Sequence, residues 1–225
     1  MNIIPISYPL AETSPLYPGT PQTRIEPHKS QDKGDSANTS LLTFSSHAGT
    51  HIDTPRHFCK SGMTVRESLD RVTTFFPCYC INLPVSGEYG IRNRDLEEKL
   101  AGKTNAEAFL IRTGTGKLRS NETQFYASSH PWVHAEVAEF LRVTCPQLRL
   151  LGLDTISIAT PAFRADGRES HRAFLCDKRP LLLLEDADLS CEHLADRAFT
   201  LYVLPWFIDE LDGVPVTAFL QESLQ

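Results

Sequence analysis

The chain has 225 residues, 41% hydrophobic and 22% charged, with 22 basic against 28 acidic side chains and a net charge of −6. That length supports one domain, expected to span residues 1–225, with a core large enough to need no staples. The acidic balance, without any Lys/Arg cluster, argues against a nucleic-acid footprint or an electrostatic membrane anchor, and no apolar run reaches membrane-spanning length.

The opening "MNIIPISYPL" has no basic leader and no long apolar stretch, so a signal peptide is not expected and the cytoplasm is the expected location. Residues 18–40, rich in Pro, Thr, Lys and Ser, read as a long surface loop. "SLLTFSS" (40–46) alternates apolar and small polar residues as a half-buried strand does. "FPCYCINLPV" (76–85) reads as a strand, "NRDLEEKLAG" (93–102) as a helix closed by glycine, and "AFLIRTG" (108–114) as a buried strand. "HPWVHAEVAEFLRV" (130–143) has helical periodicity, with Pro131 suited to the first turn. Strand "RLLGLDT" (149–155), a helix from Ser170, and strand "PLLLLED" (180–186) follow. "FTLYVLPWF" (199–207) and "VPVTAFL" (214–220) close the chain. Strands partly alternating with helices predict an α/β fold, a mixed sheet with flanking helices. The six cysteines contain no C-x-x-C pair, so reduced and mostly buried thiols are expected, with Cys59 a packed thiol.

Three of the eight histidines fall between residues 47 and 57, in "HAGTHIDTPRH". Gly49 and Pro55 make a regular helix through this stretch improbable. In an extended strand, residues 47 and 51 would lie roughly 13 Å apart, too far for two imidazoles to share one ion at about 2.0–2.1 Å. A bend at Gly49 removes the difficulty by swinging both rings inward. His47, His51 and Asp53 then form a ligand set normal for a catalytic transition metal. His57, just past the proline, is a candidate for moving protons, because its ordinary pKa lies near neutrality. Zinc or manganese suits these ligands, and nitrogen and oxygen donors alone do not choose between them.

The same stretch fits H-x-G-T-H-x-D-x-P-x-H and so resembles the signature of the cyclase family of metal-dependent hydrolases. The resemblance extends to "ISYPLAETSPLYPGTP" (6–21), "LLGLDTISI" (150–158), "SHRAFLCDKRPLLLLEDADL" (170–189) and "DGVPVTAF" (212–219). It implies a swivelling β/α/β-type fold and one or two Zn²⁺ or Mn²⁺ ions per chain. His47, His51 and Asp53 would hold the first ion. Asp53 would bridge to a second, completed by His171 and Glu185. It also implies His57 as proton carrier, Tyr17 as a substrate contact, with Phe58 helping to shape an apolar pocket. The implied reaction is arylformamidase-like, the hydrolysis of a small aryl-formamide or cyclic amide by a metal-activated water. The implied assembly is a homodimer or higher homo-oligomer with a small-molecule substrate. A metal-binding protein without turnover, or a cyclase, dehydratase or lactonase on the same scaffold, are the alternatives. Tyr17 stands where some members carry tryptophan, Thr20 where they carry aspartate, and Thr217 where arginine is common. These departures bear on the substrate and leave the metal pattern intact.

Two other signals fail. "RTGTGKLRS" (112–120) lacks the P-loop spacing, and no G-x-S-x-G is present. His130 and His134 read as surface or core residues.

Overall fold

A strand buried on both faces must be apolar at every position, because successive side chains point to opposite sides. Segments 108–112, 150–153 and 182–185 meet that demand almost without exception, and they lie side by side in parallel. The computed structural model describes residues 3–69, 73–195 and 197–222. Its strands, in chain order, are β1 (Ile3–Pro5), β2 (Arg24–Lys29), β3 (Thr39–Thr43), β4 (His51–Asp53), β5 (Thr74–Asn82) and β6 (Gly90–Ile91). They continue with β7 (Ala108–Arg112), β8 (Trp132–Val133), β9 (Leu150–Leu153), β10 (Leu182–Glu185), β11 (Ala198–Pro205) and β12 (Gly213–Glu222). The helices are α1 (Val65–Leu69), α2 (Asn93–Leu96), α3 (Thr123–Ser128), α4 (Glu136–Thr144) and α5 (Arg164–Leu175).

The main sheet runs β1-β12-β11-β5-β7-β9-β10-β4, and β4 also pairs with β12. That second pairing closes seven strands into a ring and leaves β1 outside it on β12. Strands β5, β7, β9 and β10 are mutually parallel; β4 and β11 run against them, and β12, antiparallel to both β4 and β11, runs with them. The mixed α/β expectation holds; the closure is an addition that pattern reading did not supply.

Alternation divides the core in two. Leu110, Leu182, Leu184, Ile52 and Val214 fill one cluster with the inward residues of the other ring strands. Phe109, Ile111, Leu151 and Leu183 face the other way, onto Val137 and Leu141 of α4 and Phe174 of α5. The buried Arg142 of α4 donates to the carbonyls of Ala173 and Phe174 at 2.6 and 3.0 Å, satisfying acceptors left open at the end of α5. Helix α5 is thereby pinned against the sheet beside β10.

Several expectations need correction. The 18–40 segment contains β2, and β3 is fully exposed, so the two make a separate ribbon off the main sheet. Leu41 and Leu42 point to opposite faces of that ribbon, and both are exposed because no core lies on either side. The 130–143 segment splits into β8 and α4, so Pro131 precedes a strand rather than opening a helix. His130 is consequently a buried core residue, and the half-buried His134 packs on Trp132 with ring centroids 4.0 Å apart. Helix α5 begins at Arg164, six residues before Ser170, which puts His171 in its interior. Cys59 and Cys176 form a disulfide, their Cα atoms 5.7 Å apart across 117 residues of sequence. The expectation of six reduced thiols fails for this pair because tertiary folding brings them together; Cys78, Cys80, Cys145 and Cys191 are not disulfide-bonded. Among the described residues no helix is long and apolar enough to cross a membrane.

Gly167 marks the tightest contact of α5, since a Cβ there would lie 2.5 Å from the Cβ of Ala159 and 3.3 Å from its Cα. Gly167→Ala gains about 1 kcal/mol of helix propensity but forces a well-packed contact apart at about 1–3 kcal/mol. A net loss of stability is expected in urea denaturation. An unchanged or raised midpoint would mean that the 159–160 backbone yields freely.

Candidate metal centre

Strand β4 is only three residues long, yet it lies between two partners. Its register sets His51 opposite Glu185 of β10 and Asp53 opposite Gly213 of β12. His51 and Asp53, two apart, share the outer face, while Ile52 turns into the core. The chain reaches β4 through a turn in which Gly49 takes φ +65°, a left-handed conformation that favours glycine. This bend brings the His47 and His51 rings to 5.1 Å between centroids. Gly213 serves a different purpose: a Cβ there would come within 2.6 Å of His47 Cε1 and 2.9 Å of the Ile52 carbonyl. Only glycine leaves room for the imidazole.

Asp53 is completely buried and presents its two oxygens to different groups. Oδ1 lies 2.7 Å from His47 Nδ1 and 3.4 Å from His51 Nε2. Oδ2 faces His171 Nε2 at 3.8 Å and His57 Nε2 at 3.9 Å and has no hydrogen-bond partner. Glu185, also buried, has Oε1 fixed by the Ile158 backbone N–H at 2.7 Å and the Ser157 hydroxyl at 3.1 Å. Its Oε2 lies 3.3 Å from His51 Nε2, and its Oε1 lies 3.7 Å from His171 Nε2.

The tautomers follow from the backbone. His51 Nδ1 donates to the Gly49 carbonyl and His171 Nδ1 to the Gly167 carbonyl, both at 2.8 Å, and a carbonyl can only accept. Each ring therefore turns Nε2 toward the carboxylates, in the manner of ligating histidines whose other nitrogen is held. His51 Nε2 is buried with no hydrogen-bond partner, its carboxylate neighbours lying off the bonding line. Tetrahedral ligation at 2.0–2.1 Å separates donors by roughly 3.3–3.4 Å. The separations around His51 Nε2 match that figure and exceed an ordinary hydrogen bond. Unpaired buried donors, imidazole and carboxylate chemistry, and this spacing fit a divalent transition ion. His47, His51 and Asp53 converge as one group, and Asp53, His57 and His171 as another.

Asp212, just before β12, escaped the sequence reading. Its Oδ2 accepts from His47 Nε2 at 2.8 Å and from His57 Nδ1 at 3.0 Å. The only local cue is an Asp-Gly pair ahead of a strand, which reads as an ordinary turn. His47 consequently meets carboxylates at both nitrogens. Burial lowers its pKa, but Asp53 and Asp212 outweigh burial and raise it to about 9. Burial likewise opposes charge on His51, and Asp53 and Glu185 hold its pKa well above the ordinary value. Burial raises Asp53, but the His47 and His57 charges bring it well below the carboxylate range. Hydrogen bonds from His47 and His57 depress Asp212.

The centre forms one wall of a cavity of about 360 Å³, within the range of small-molecule sites. Phe58 stacks on His171 at 4.5 Å and meets His57 edge-on at 4.7 Å, so it supports two site rings as well as lining the cavity. Tyr17 enters from a Tyr-Pro-Gly-Thr turn closed by Thr20 N–H to the Tyr17 carbonyl, with Gly19 at φ +97°. Burial raises the pKa of its phenol against the pull of Arg164 and Arg168. All eight predicted site residues, His47, His51, Asp53, His57, Phe58, His171, Glu185 and Tyr17, thus surround one space; only Asp53 lies behind its wall.

A closed mixed sheet carrying histidines and carboxylates over a small-molecule cavity is the arrangement of a metal-dependent hydrolase. The chain belongs to the cyclase family of such enzymes: the Cyclase family model matches residues 4–160. Kynurenine formamidase of Bacillus cereus is 32% identical over 222 residues, covering 97% of this chain and 96% of that protein. Among solved structures, isatin hydrolase A of Labrenzia aggregata, bound to benzyl benzoate, superposes with TM-score 0.82 at 18% identity, covering 98% of this chain and 94% of that one. Isatin hydrolase A of Ralstonia solanacearum gives 0.81 at 17% identity, covering 98% and 92%. At those identities the structural likeness speaks to the fold.

The tie to Asp212 has a direct readout. In metal-free protein, Asp212→Asn should bring the His47 pKa down from about 9 toward its ordinary value, followed by NMR titration of the imidazole signals. A titration that does not move would remove Asp212 from the network.

Proposed function

We propose that residues 1–225 form one amidohydrolase domain that cleaves the C–N bond of a small aryl-formamide or cyclic amide. The observation that carries this reading is the unpaired pair of buried donors, His51 Nε2 and Asp53 Oδ2, beside His57 at a cavity wall. The relatives named kynurenine formamidase support the amide as the bond attacked.

His47, His51 and Asp53 would hold one divalent ion, Zn²⁺ or Mn²⁺, and His47 would give up one carboxylate contact to do so. His171, Glu185 and the shared Asp53 would hold a second. Such ions supply Lewis acidity, which makes water a competent nucleophile at neutral pH and polarises a carbonyl. The protein's own groups do the rest. Asp212 accepts the Nδ1 proton of His57 and fixes that ring, leaving Nε2 facing Asp53. In this reading His57 Nε2 takes a proton from the attacking water and returns it to the leaving nitrogen, and Asp212 positions it. Tyr17 and Phe58 hold the aryl group and exclude water from it.

A homodimer is proposed on the exposed apolar side chains of the ribbon and the β11–β12 loop. Leu41, Leu42, Trp206 and Phe207 are each about half exposed or more. Light scattering should return twice the chain mass; a monomer would remove this part. We also read the chain as cytoplasmic, against which the Cys59–Cys176 bridge stands, since cytosolic thiols are kept reduced. Thiol trapping in intact cells tests this location: a reduced pair supports it, and an intact bridge would overturn it.

The reaction is tested with metal-loaded protein on a panel of aryl-formamides and lactams, with product mass raised by one water. Chelation or His57→Ala should each lower the rate by ~10²-fold or more. Turnover indifferent to both would reject the mechanism.

A further inference from the structure

Two non-glycine residues among those described take a positive φ: Glu210, exposed in the β11–β12 loop, and Asp186, at φ +52°. Asp186 is completely buried and directly follows Glu185. A residue with a Cβ disfavours this left-handed conformation, which persists only where the surroundings over-determine it. At Asp186 they do. Arg119 meets the carboxylate with two donors, Nε to Oδ1 at 2.8 Å and Nη2 to Oδ2 at 2.7 Å. The Tyr126 hydroxyl adds a third bond, donating to Oδ1 at 2.6 Å. The guanidinium of Arg119 is largely buried, and its carbon lies 3.9 Å from the ring centroid of Tyr8. The 112–120 segment, which only imitates a phosphate loop, thus supplies a buried cation behind the centre.

The backbone held in this way touches both ligand strands. The Asp186 N–H donates to the Thr155 carbonyl at 2.8 Å. Thr155 lies in the loop whose Ser157 hydroxyl and Ile158 N–H hold Glu185 Oε1. The Asp186 carbonyl accepts from the Thr50 hydroxyl at 2.6 Å, and Thr50 precedes His51. Glu185 and His51 stand opposite each other in the β10–β4 ladder. If residue 186 relaxed to an extended conformation, its N–H and carbonyl would swing away from Thr155 and Thr50, and both ties would open. Stability alone accounts poorly for the arrangement, because apolar residues of similar volume often replace a buried ion pair without loss. Arg119, Tyr126 and Asp186 do not line the cavity, so they act on the site through its ligands.

We infer that Arg119, Asp186 and Tyr126 are positioning residues for the metal centre. They lock the chain just after Glu185, so that Glu185 and, through Thr50, His51 are held in place to receive an ion. The inference rests on the reading of those two side chains as metal ligands. Partners that orient a ligand typically change ion affinity by ~10–100-fold when removed.

The test is the Zn²⁺ affinity of the metal-free full chain, measured by competition with a chromophoric chelator at a temperature where melting curves show each variant folded. Arg119→Met keeps the stem and removes the fork, and should weaken binding by ~10-fold or more. Arg119→Lys should recover part of that loss, since an ammonium is a point charge without the fork that spans both carboxylate oxygens. Tyr126→Phe removes one hydroxyl and should shift affinity in the same direction; it decides the matter if Arg119→Met does not fold. With formanilide at limiting metal, the loss should fall on the apparent kcat and leave KM unchanged, because none of the three lines the cavity. Folded variants that bind Zn²⁺ as tightly as the wild-type chain would reduce the three to a structural ion pair and overturn the inference. If the wild-type chain binds no Zn²⁺, the ligand reading falls and the inference falls with it. If Zn²⁺ binding depends on the three residues yet no amide is cleaved, the hydrolase reading falls and the positioning role stands.

Discussion

One buried carboxylate organises this molecule. Asp53 has no accessible surface, and one of its oxygens lacks any hydrogen bond. An anion so placed is tolerated only where positive charge gathers around it. Four imidazoles do gather: His47, His51, His57 and His171 all approach within 4 Å of its oxygens. The raised pKa values of His47, His51 and His171 report the same demand from the other side. Whether met by protons or by a divalent ion, the need for cationic charge at this point is built into the fold.

The closure of the sheet makes that concentration possible. A three-residue strand at a free edge would hold its side chains poorly. Here β4 is hydrogen-bonded on both sides, with Ile52 buried between the ladders. The ring therefore delivers Glu185 from one neighbour and the approach to Asp212 from the other. Helix α5 contributes His171, and its end is fixed by Arg142 and by the bridge from Cys176 to the loop after His57. A bridge that spans this much sequence restricts the unfolded chain as well as joining two parts of the site. Rigid elements supply most donors, the arrangement that preorganisation requires.

How much of this was legible depends on the distance over which each signal acts. The cluster at 47–57 carries its own evidence, since crowding, the glycine bend and the proline are all local. Buried strands such as β7 and β10 announce themselves by unbroken apolar composition. Asp212 does not: it meets His47 across 165 residues, and its neighbourhood looks like a turn. The Cys59–Cys176 pairing is hidden for the same reason. Segment 40–46 misled because alternation reports a pleated strand without saying whether a core lies on either face. The start of α5 was missed because Arg164–Glu169 carries little apolar periodicity. Its inward residue there is Gly167, chosen for close approach to Ala159. Closure of the ring is a property of two pairings of one short strand, which no window of sequence contains.

Asp212 also joins two histidines that stand ten residues apart in sequence. Its single Oδ2 accepts from both His47 and His57, whose rings lie 4.0 Å apart. The histidine proposed to hold a cation and the histidine proposed to carry a proton thus share one acceptor. The carboxylate need not react to matter. By fixing the Nδ1 proton of His57 it dictates which nitrogen faces the cavity, and by holding His47 it ties that choice to the state of the centre. Asp53 divides its two oxygens between two sets of donors; Asp212 gathers two donors onto one oxygen. Between them these carboxylates couple every imidazole of the site to its neighbours, and this coupling explains why the histidines crowd into so short a stretch.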